Sequence, residues 1–379
     1  MRVALLDPPS YTPHYDHRLA LALAQRGHSV DLLASRFLHG EVPEPEGYSR
    51  HEVFFPVSGR LFARSPRSPL RYPVKALEYL PSVGLLLRRL DELEPDVAHL
   101  QWLTQPRLDR RWLPAVARRR PTVFTAHNAM LRQGPERLDL WRTIFSAVDA
   151  VVVHSHRGLE RLAELGVDRG RIVRIPHAAF DGGHVAVAAP PEGATLLFFG
   201  LLRSHKGLDL LVRALPRIAA SVPDVQLVVA GDEFDPVEPV RALAAELGVE
   251  DRIEWRLGYL PEPEVAEVMS GATLVVLPYR ETDASGVLAT AIGHARPVVV
   301  SDVGSLGETV REFGAGAVVS PGDVDSLAAA CERLLTDTGA LADAARGAEA
   351  ARGALSWESA AAAHERLYEE VVARRAKRL

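Results

Sequence analysis

Short apolar runs separated by helical periods recur along nearly the whole of this 379-residue chain. In the first half they fall at residues 3–7, 30–33, 53–56, 97–100, 123–126, 151–154 and 172–176. In the second half they fall at 196–199, 226–230, 253–256, 274–277, 298–301 and 317–320. Most are apolar at successive positions instead of alternate ones, which means burial on both faces and hence a parallel sheet. Helical periods lie between them, among them 16–25, 76–93 and 155–165, then 207–219, 237–247 and 262–269. Alternation of this kind builds βαβ units. The expected fold class is α/β, with two doubly wound, Rossmann-like domains.

The pattern breaks once. Ala178-Ala179-Phe180-Asp181-Gly182-Gly183-His184 and Ala189-Pro190-Pro191-Glu192-Gly193 gather glycine and proline without periodicity, as a linker does. The expected domains are therefore 1–180 and 181–356, with a long final helix, 357–379, packing back on the first. A ligand is expected in a cleft between the two, at the carboxyl ends of the strands.

Composition excludes several classes. A net charge of -5 argues against nucleic-acid binding. The single cysteine, Cys331, allows neither an intrachain disulfide nor a cysteine zinc site, and fits a reducing cytoplasm. Met1-Arg2-Val3-Ala4-Leu5-Leu6-Asp7 reads as a strand and not as a signal peptide. No apolar run approaches the roughly 18 residues of a membrane span. The expected location is cytoplasmic. One stretch departs from the acidic balance. Residues 59–75 hold Arg60, Arg64, Arg67, Arg71 and Lys75 with no acidic residue. This reads as a mobile surface loop, or as a loop contacting an anionic acceptor or, weakly, a membrane surface.

Two segments carry chemistry. In the first, the apolar run 272–277 leads through Pro278-Tyr279-Arg280-Glu281-Thr282-Asp283-Ala284-Ser285-Gly286 into a small-residue helix. Strand, polar Ser-Gly turn and helix start together present backbone N–H groups at a positive helix end, an anion site suited to a diphosphate. The plainer alternative is a βα turn with an N-cap serine. In the second, Phe198-Phe199-Gly200-Leu201-Leu202-Arg203-Ser204-His205-Lys206-Gly207 delivers two cations from another strand end. Arg203 suits bidentate contact with phosphate oxygens and Lys206 adds a point charge.

These landmarks resemble the donor domain of the GT-B glycosyltransferases, specifically the retaining family-4 group. The Arg203–Gly207 loop is followed in order by Val228-Val229-Ala230-Gly231-Asp232 and Gly258-Tyr259-Leu260-Pro261. Next come Leu277-Pro278-Tyr279, Arg296-Pro297-Val298-Val299 and Asp302-Val303-Gly304-Ser305-Leu306-Gly307-Glu308. The likeness covers nearly all of residues 195–360. It is looser in the first half, at Gly27-His28-Ser29-Val30, Phe124-Thr125-Ala126-His127-Asn128 and Ile175-Pro176-His177.

The resemblance implies metal-independent transfer of a hexose from a UDP- or GDP-linked sugar to a hydroxyl acceptor, with retention and without a cofactor. It implies that Arg203, Lys206, Ser285, Gly286 and Val287 hold the diphosphate. His127 then faces the donor sugar, and His127, Arg203 and Lys206 form the catalytic set. Gly231, Asp232, Tyr259 and Leu260 fall to the nucleoside. Two glutamates that most such enzymes carry in the 278–291 segment are missing, their places taken by Thr282 and Thr290. Ser285-Gly286-Val287 resembles a variant of that loop. Glu281 or Asp283, beside Thr282, would then reach the sugar hydroxyls, and Glu308 would take the ribose contact that Thr290 cannot make.

The first βα loop, Asp7-Pro8-Pro9-Ser10-Tyr11-Thr12-Pro13-His14-Tyr15-Asp16, has rings where many relatives have a glycine pair. Tyr11, His14 and Tyr15 stack on an acceptor or simply close the loop, and Asn128 serves as a turn former or as an acceptor ligand. The loop lacks Gly-x-Gly-x-x-Gly, which weighs against a dinucleotide oxidoreductase. His154, His156 and His177 sit at other strand ends without a carboxylate cluster, so no metal is expected. The rivals are a non-catalytic or degenerate sugar-binding protein of the same fold, a nucleotide-sugar epimerase and a phosphorylase. Oligomeric state is not legible.

Overall fold

The computed structural model describes residues 1–127, 138–180 and 193–377. It divides into two compact units, one of Met1–Pro176 with Trp357–Leu379 and the other of His177–Ser356. The linker residues 181–192 and Asn128 lie outside the described residues.

The first unit is built on seven parallel strands: β1 (Arg2–Asp7), β2 (Ser29–Ser35), β3 (Ser49–Phe54), β4 (Val97–Leu100), β5 (Thr122–Thr125), β6 (Ala150–Val153) and β7 (Ile172–Arg174). Their order across the sheet is 3-2-1-4-5-6-7. The order reverses between β1 and β4, which pair directly through Val3↔Val97 to Leu6↔Leu100. That reversal makes a topological switch point, where the carboxyl-end loops diverge and leave a crevice. β4, β5 and β6 are buried at every position, as their apolar runs require.

β3 begins at Ser49, earlier than its apolar run. Ser49-Arg50-His51-Glu52 is polar because β3 is the sheet's edge, where half-exposed positions tolerate charge.

The arginine-rich stretch is not a loop throughout. Pro56–Leu61 is helical, and the long helix Arg71–Leu93 starts before residue 76. Pro73 is tolerated because it lies in the first turn, where backbone N–H groups have no intrahelical partner. The Glu78 carboxylate accepts from the Val57 and Ser58 N–H groups at 2.6 and 2.8 Å, which closes the start of the shorter helix. Lys75 is folded over the Phe55 ring at 4.4 Å, and burial, with Arg71 nearby, lowers its pKa to about 8.

The helix Trp357–Ala376 completes this unit. It packs on the helix Pro13–Gln25. It buries Ala361, His364, Leu367 and Tyr368, and Arg26 donates to Glu365 at 2.8 Å.

The second unit has six parallel strands: β8 (Thr195–Phe199), β9 (Gln226–Gly231), β10 (Ile253–Leu257), β11 (Leu274–Leu277), β12 (Val298–Ser301) and β13 (Gly316–Val319). Their order, 10-9-8-11-12-13, repeats the winding of the first sheet. The switch point lies between β8 and β11. One apolar cluster around Phe198, Leu211 and Leu215 and another around Val275, Ile292 and Val300 form its core. Cys331 belongs to the first of these, and burial pushes its thiol pKa up to about 12, which makes it an inert filler.

Candidate functional site

The residues expected to hold a donor follow the carboxyl ends of five neighbouring strands of the second sheet. β10 leads to Tyr259 and Leu260, and β9 ends at Gly231 before Asp232. β8 leads to Arg203 and Lys206, β11 to the 278–285 loop, and β12 to the helix carrying Glu308. The switch point puts the loops after β8 and β11 side by side. Ser204–Lys206 forms one 3-10 turn, and Gly207 follows at φ +72°. A Cβ on Gly207 would strike the Pro278 carbonyl oxygen, so only glycine lets the two loops close up. At Gly200 a Cβ would lie 2.8 Å from Val287 Cγ2 and 3.2 Å from Lys206 Nζ. The Lys206 ammonium and the first turn of the helix Gly286–Gly293 therefore converge over the end of β8.

Ser285 caps that helix, its hydroxyl accepting from the Leu288 N–H at 3.2 Å. The Gly286 and Val287 N–H groups stand ahead of the first intrahelical bond and carry the positive end of the helix dipole. The Tyr279 ring lies 5.6 Å from the Lys206 ammonium. Burial raises the phenol's pKa, while the Ser285 side chain pulls it the other way. The Arg203 guanidinium carbon lies 3.8 Å from the Phe234 ring centroid, a cation–π contact to the loop after β9.

Other partners fasten the two loops, and sequence reasoning missed them. Arg280 donates to both Asp209 oxygens at 2.9 and 2.7 Å and to the Ser204 carbonyl at 2.8 Å. The Arg280 N–H donates to the His205 carbonyl at 2.8 Å. Ser204 N–H donates to Asp235 at 2.8 Å. Arg280 lies within the segment already singled out, but its partner Asp209 comes from 71 residues away.

Glu281 is exposed, and Thr282 donates its hydroxyl to the Ala284 carbonyl at 2.6 Å. The Asp283 carbonyl accepts from Ser305 N–H at 2.8 Å, tying this loop to the helix Gly304–Phe313. Thr290 donates to the Gly286 carbonyl at 2.9 Å. Glu308 sits in the second turn of its helix, beyond the first-turn position of a dipole-stabilising acid. Tyr259 is exposed, and Gly258 N–H donates to the Gly231 carbonyl at 2.9 Å.

In the first unit His127 is buried just past β5, in an aromatic enclosure. Trp102 stacks on it at 5.1 Å and 11°, and Tyr15 meets it edge-on at 4.9 Å. Its Nε2 lies 2.9 Å from the Gln101 side-chain amide and its Nδ1 3.1 Å from His154 Nε2. Burial lowers the His154 pKa to about 4, so that ring is neutral. Gln101 and Trp102 come from the end of β4, beside the switch point, and went unremarked in the sequence.

The acceptor candidates separate. Tyr11 is exposed and edge-on to Trp102 at 5.4 Å, and His14 is exposed. Tyr15 is only 3% exposed, wedged between His127 and Trp357, so it supports His127 and offers no free ring face. Asp7 and Asp16 are both fully buried at the start of the same crevice. Burial raises the Asp7 pKa to about 6, and burial together with the neighbouring Asp7 charge holds that of Asp16 well above the usual carboxylate range.

Residues 193–337 match the family described as glycosyl transferases group 1, and residues 15–179 match glycosyltransferase family 4. A D-inositol 3-phosphate glycosyltransferase of Xylanimonas cellulosilytica is 30% identical over 316 residues, spanning 75% of this chain and 74% of that protein. Among solved structures, sucrose-phosphate synthase of Thermosynechococcus elongatus is similar with a TM-score of 0.76 at 21% identity, covering 99% of this chain and 100% of that one. HepE of Anabaena, solved in complex with UDP and glucose, gives 0.70 at 17% identity over 98% and 100% of the two chains. The two structural likenesses bear on fold, and the sequence matches bear on family. Together they make the chain a member of the GT-B, family-4-like glycosyltransferases.

Proposed function

We propose that this protein transfers a hexose from a nucleoside diphosphate sugar to a hydroxyl acceptor, with retention and without a metal ion. One observation carries the reading: Lys206 and the start of the helix Gly286–Gly293 converge at the switch point of the second sheet, with Arg203 on the same loop as Lys206. Two cations and a helix N-terminus match a pyrophosphate in charge. As the glycosidic bond breaks, negative charge grows on the departing diphosphate. Donors already in place lower that barrier without reorganising. HepE of Anabaena was solved with UDP and glucose, which favours a UDP-linked donor here.

A panel of UDP, GDP, ADP and TDP, each with its sugars, tests the donor through thermal shift. A ligand that binds only the folded state raises its stability by mass action, so the matching base stands out. Movement of labelled sugar onto an acceptor then separates transfer from epimerisation and from binding alone. No stabilisation by any nucleoside diphosphate removes the proposal.

A further inference from the structure

The surface of the first unit carries an apolar face where a monomer ordinarily presents charge. The helix Arg71–Leu93 buries Tyr79, Ser82, Leu86 and Leu90 on one side. On the opposite side, at helical spacing, it exposes Leu77 (81%), Leu80 (76%) and Leu85. Pro73, Ala76, Pro81 and Gly84 are exposed between them. A surface helix that needs no partner is polar on its outer face. The neighbouring segment adds exposed Val57, Leu61, Leu70 and Tyr72. Contiguous apolar surface of this kind marks a docking site.

The charge around it selects the partner. Between Glu52 and Glu78 the chain has five cations and no carboxylate, in a protein whose net charge is -5. Arg60, Arg64 and Arg67 are exposed. Both oxygens of Glu78 are engaged by the Val57 and Ser58 N–H groups. Among the described residues no helix is long and apolar enough to cross a membrane. We infer that this face of the first unit seats on an anionic lipid surface, the leucines entering the headgroup region and the arginines meeting lipid phosphates. Apolar burial combined with basic residues is what interfacial binding requires. This inference is independent of the donor assignment.

Flotation of the full chain with vesicles tests it. Vesicles of phosphatidylcholine alone are expected to leave the protein behind. Vesicles with an equal part of phosphatidylglycerol are expected to carry it, less so as salt rises. Each cation near the surface is worth about a factor of five in partitioning, so Arg60→Ser with Arg64→Ser lowers binding by roughly tenfold or more. Leu77→Gln with Leu80→Gln lowers it at every salt concentration with the melting temperature unchanged. The inference falls if the mixed vesicles carry no protein or if both double variants float like the parent. It also falls if the chain is a dimer that the Leu77/Leu80 variant splits, because a second copy then occupies the face.

Discussion

The His127 imidazole donates through Nδ1 to His154 Nε2, 3.1 Å away. The direction follows from the next bond in the series. His154 Nδ1 lies 2.8 Å from the Ile175 carbonyl oxygen, which only accepts, so that nitrogen carries the proton and Nε2 of the neutral ring accepts. With its one proton on Nδ1, the His127 ring accepts at Nε2, where the Gln101 side-chain amide lies 2.9 Å away and meets it with its NH2 group. Both polar edges of this ring are thus spoken for by the protein, and the ring is fixed before any substrate arrives.

Gln101→Leu removes the Gln101 contact from His127 Nε2 in a buried site. A stability loss of about 1–3 kcal/mol is expected, read from the denaturant midpoint at constant slope. Turnover is expected to fall as the ring loosens. In a cycle with His127→Ala the two losses should be strongly non-additive. Simple additivity would mean that Gln101 does not act through His127.

His364 supplies a pH test. Its Nδ1 donates to the Ala360 carbonyl at 2.8 Å, while Nε2 is buried with no hydrogen-bond partner among the described residues. Burial lowers its pKa to about 4, against about 6.5 for an unfolded histidine. Between those values the unfolded state binds more protons, so stability falls as pH drops from about 6.5 to about 4. His364→Leu should flatten that acid limb in melting temperature against pH and cost little at neutral pH. An unchanged acid limb would show that the ring is already charged in the folded chain.

Lys206→Ala should lower turnover by a factor on the order of 100, the usual loss when one preorganised donor to a developing charge is removed. Lys206→Arg keeps the charge and should recover part of it. Steady-state kinetics with a saturating donor decide the point. Near-parental turnover in Lys206→Ala would remove this lysine from the chemistry.

Gly207→Ala introduces a side chain at φ +72° and against the Pro278 carbonyl. A destabilisation of about 1–3 kcal/mol is expected from the backbone conformation and the forced opening of the two loops. Nucleotide affinity, measured by calorimetry, should fall with it. Gly248→Ala, at φ +66° with open space around it, is the control for strain without collision.

The sheets were legible because strands such as Val97–Leu100 and Val298–Ser301 are buried on both faces, and a run of apolar residues has little other use. Ser49–Phe54 was half missed because an edge strand bears charge, and Arg71–Leu93 was shortened by a proline that its first turn accepts. Lys206 and Ser285 stand out in the sequence because each lies in the loop that follows an apolar strand. Gln101, Trp102 and Asp209 do not. Their importance lies in what they touch, and those contacts join residues 26 and 71 positions apart in the chain.

The helix Trp357–Ala376 belongs to the first unit, although the whole second unit is synthesised before it. During translation the second unit emerges as one uninterrupted piece and is free to fold at once. The first must wait, its crevice unsupported, until Tyr368 arrives to meet His99 at 2.7 Å. A chain cut back to residue 356 would therefore keep every residue of the second unit and lack part of the first, so the older half would be the unfinished one.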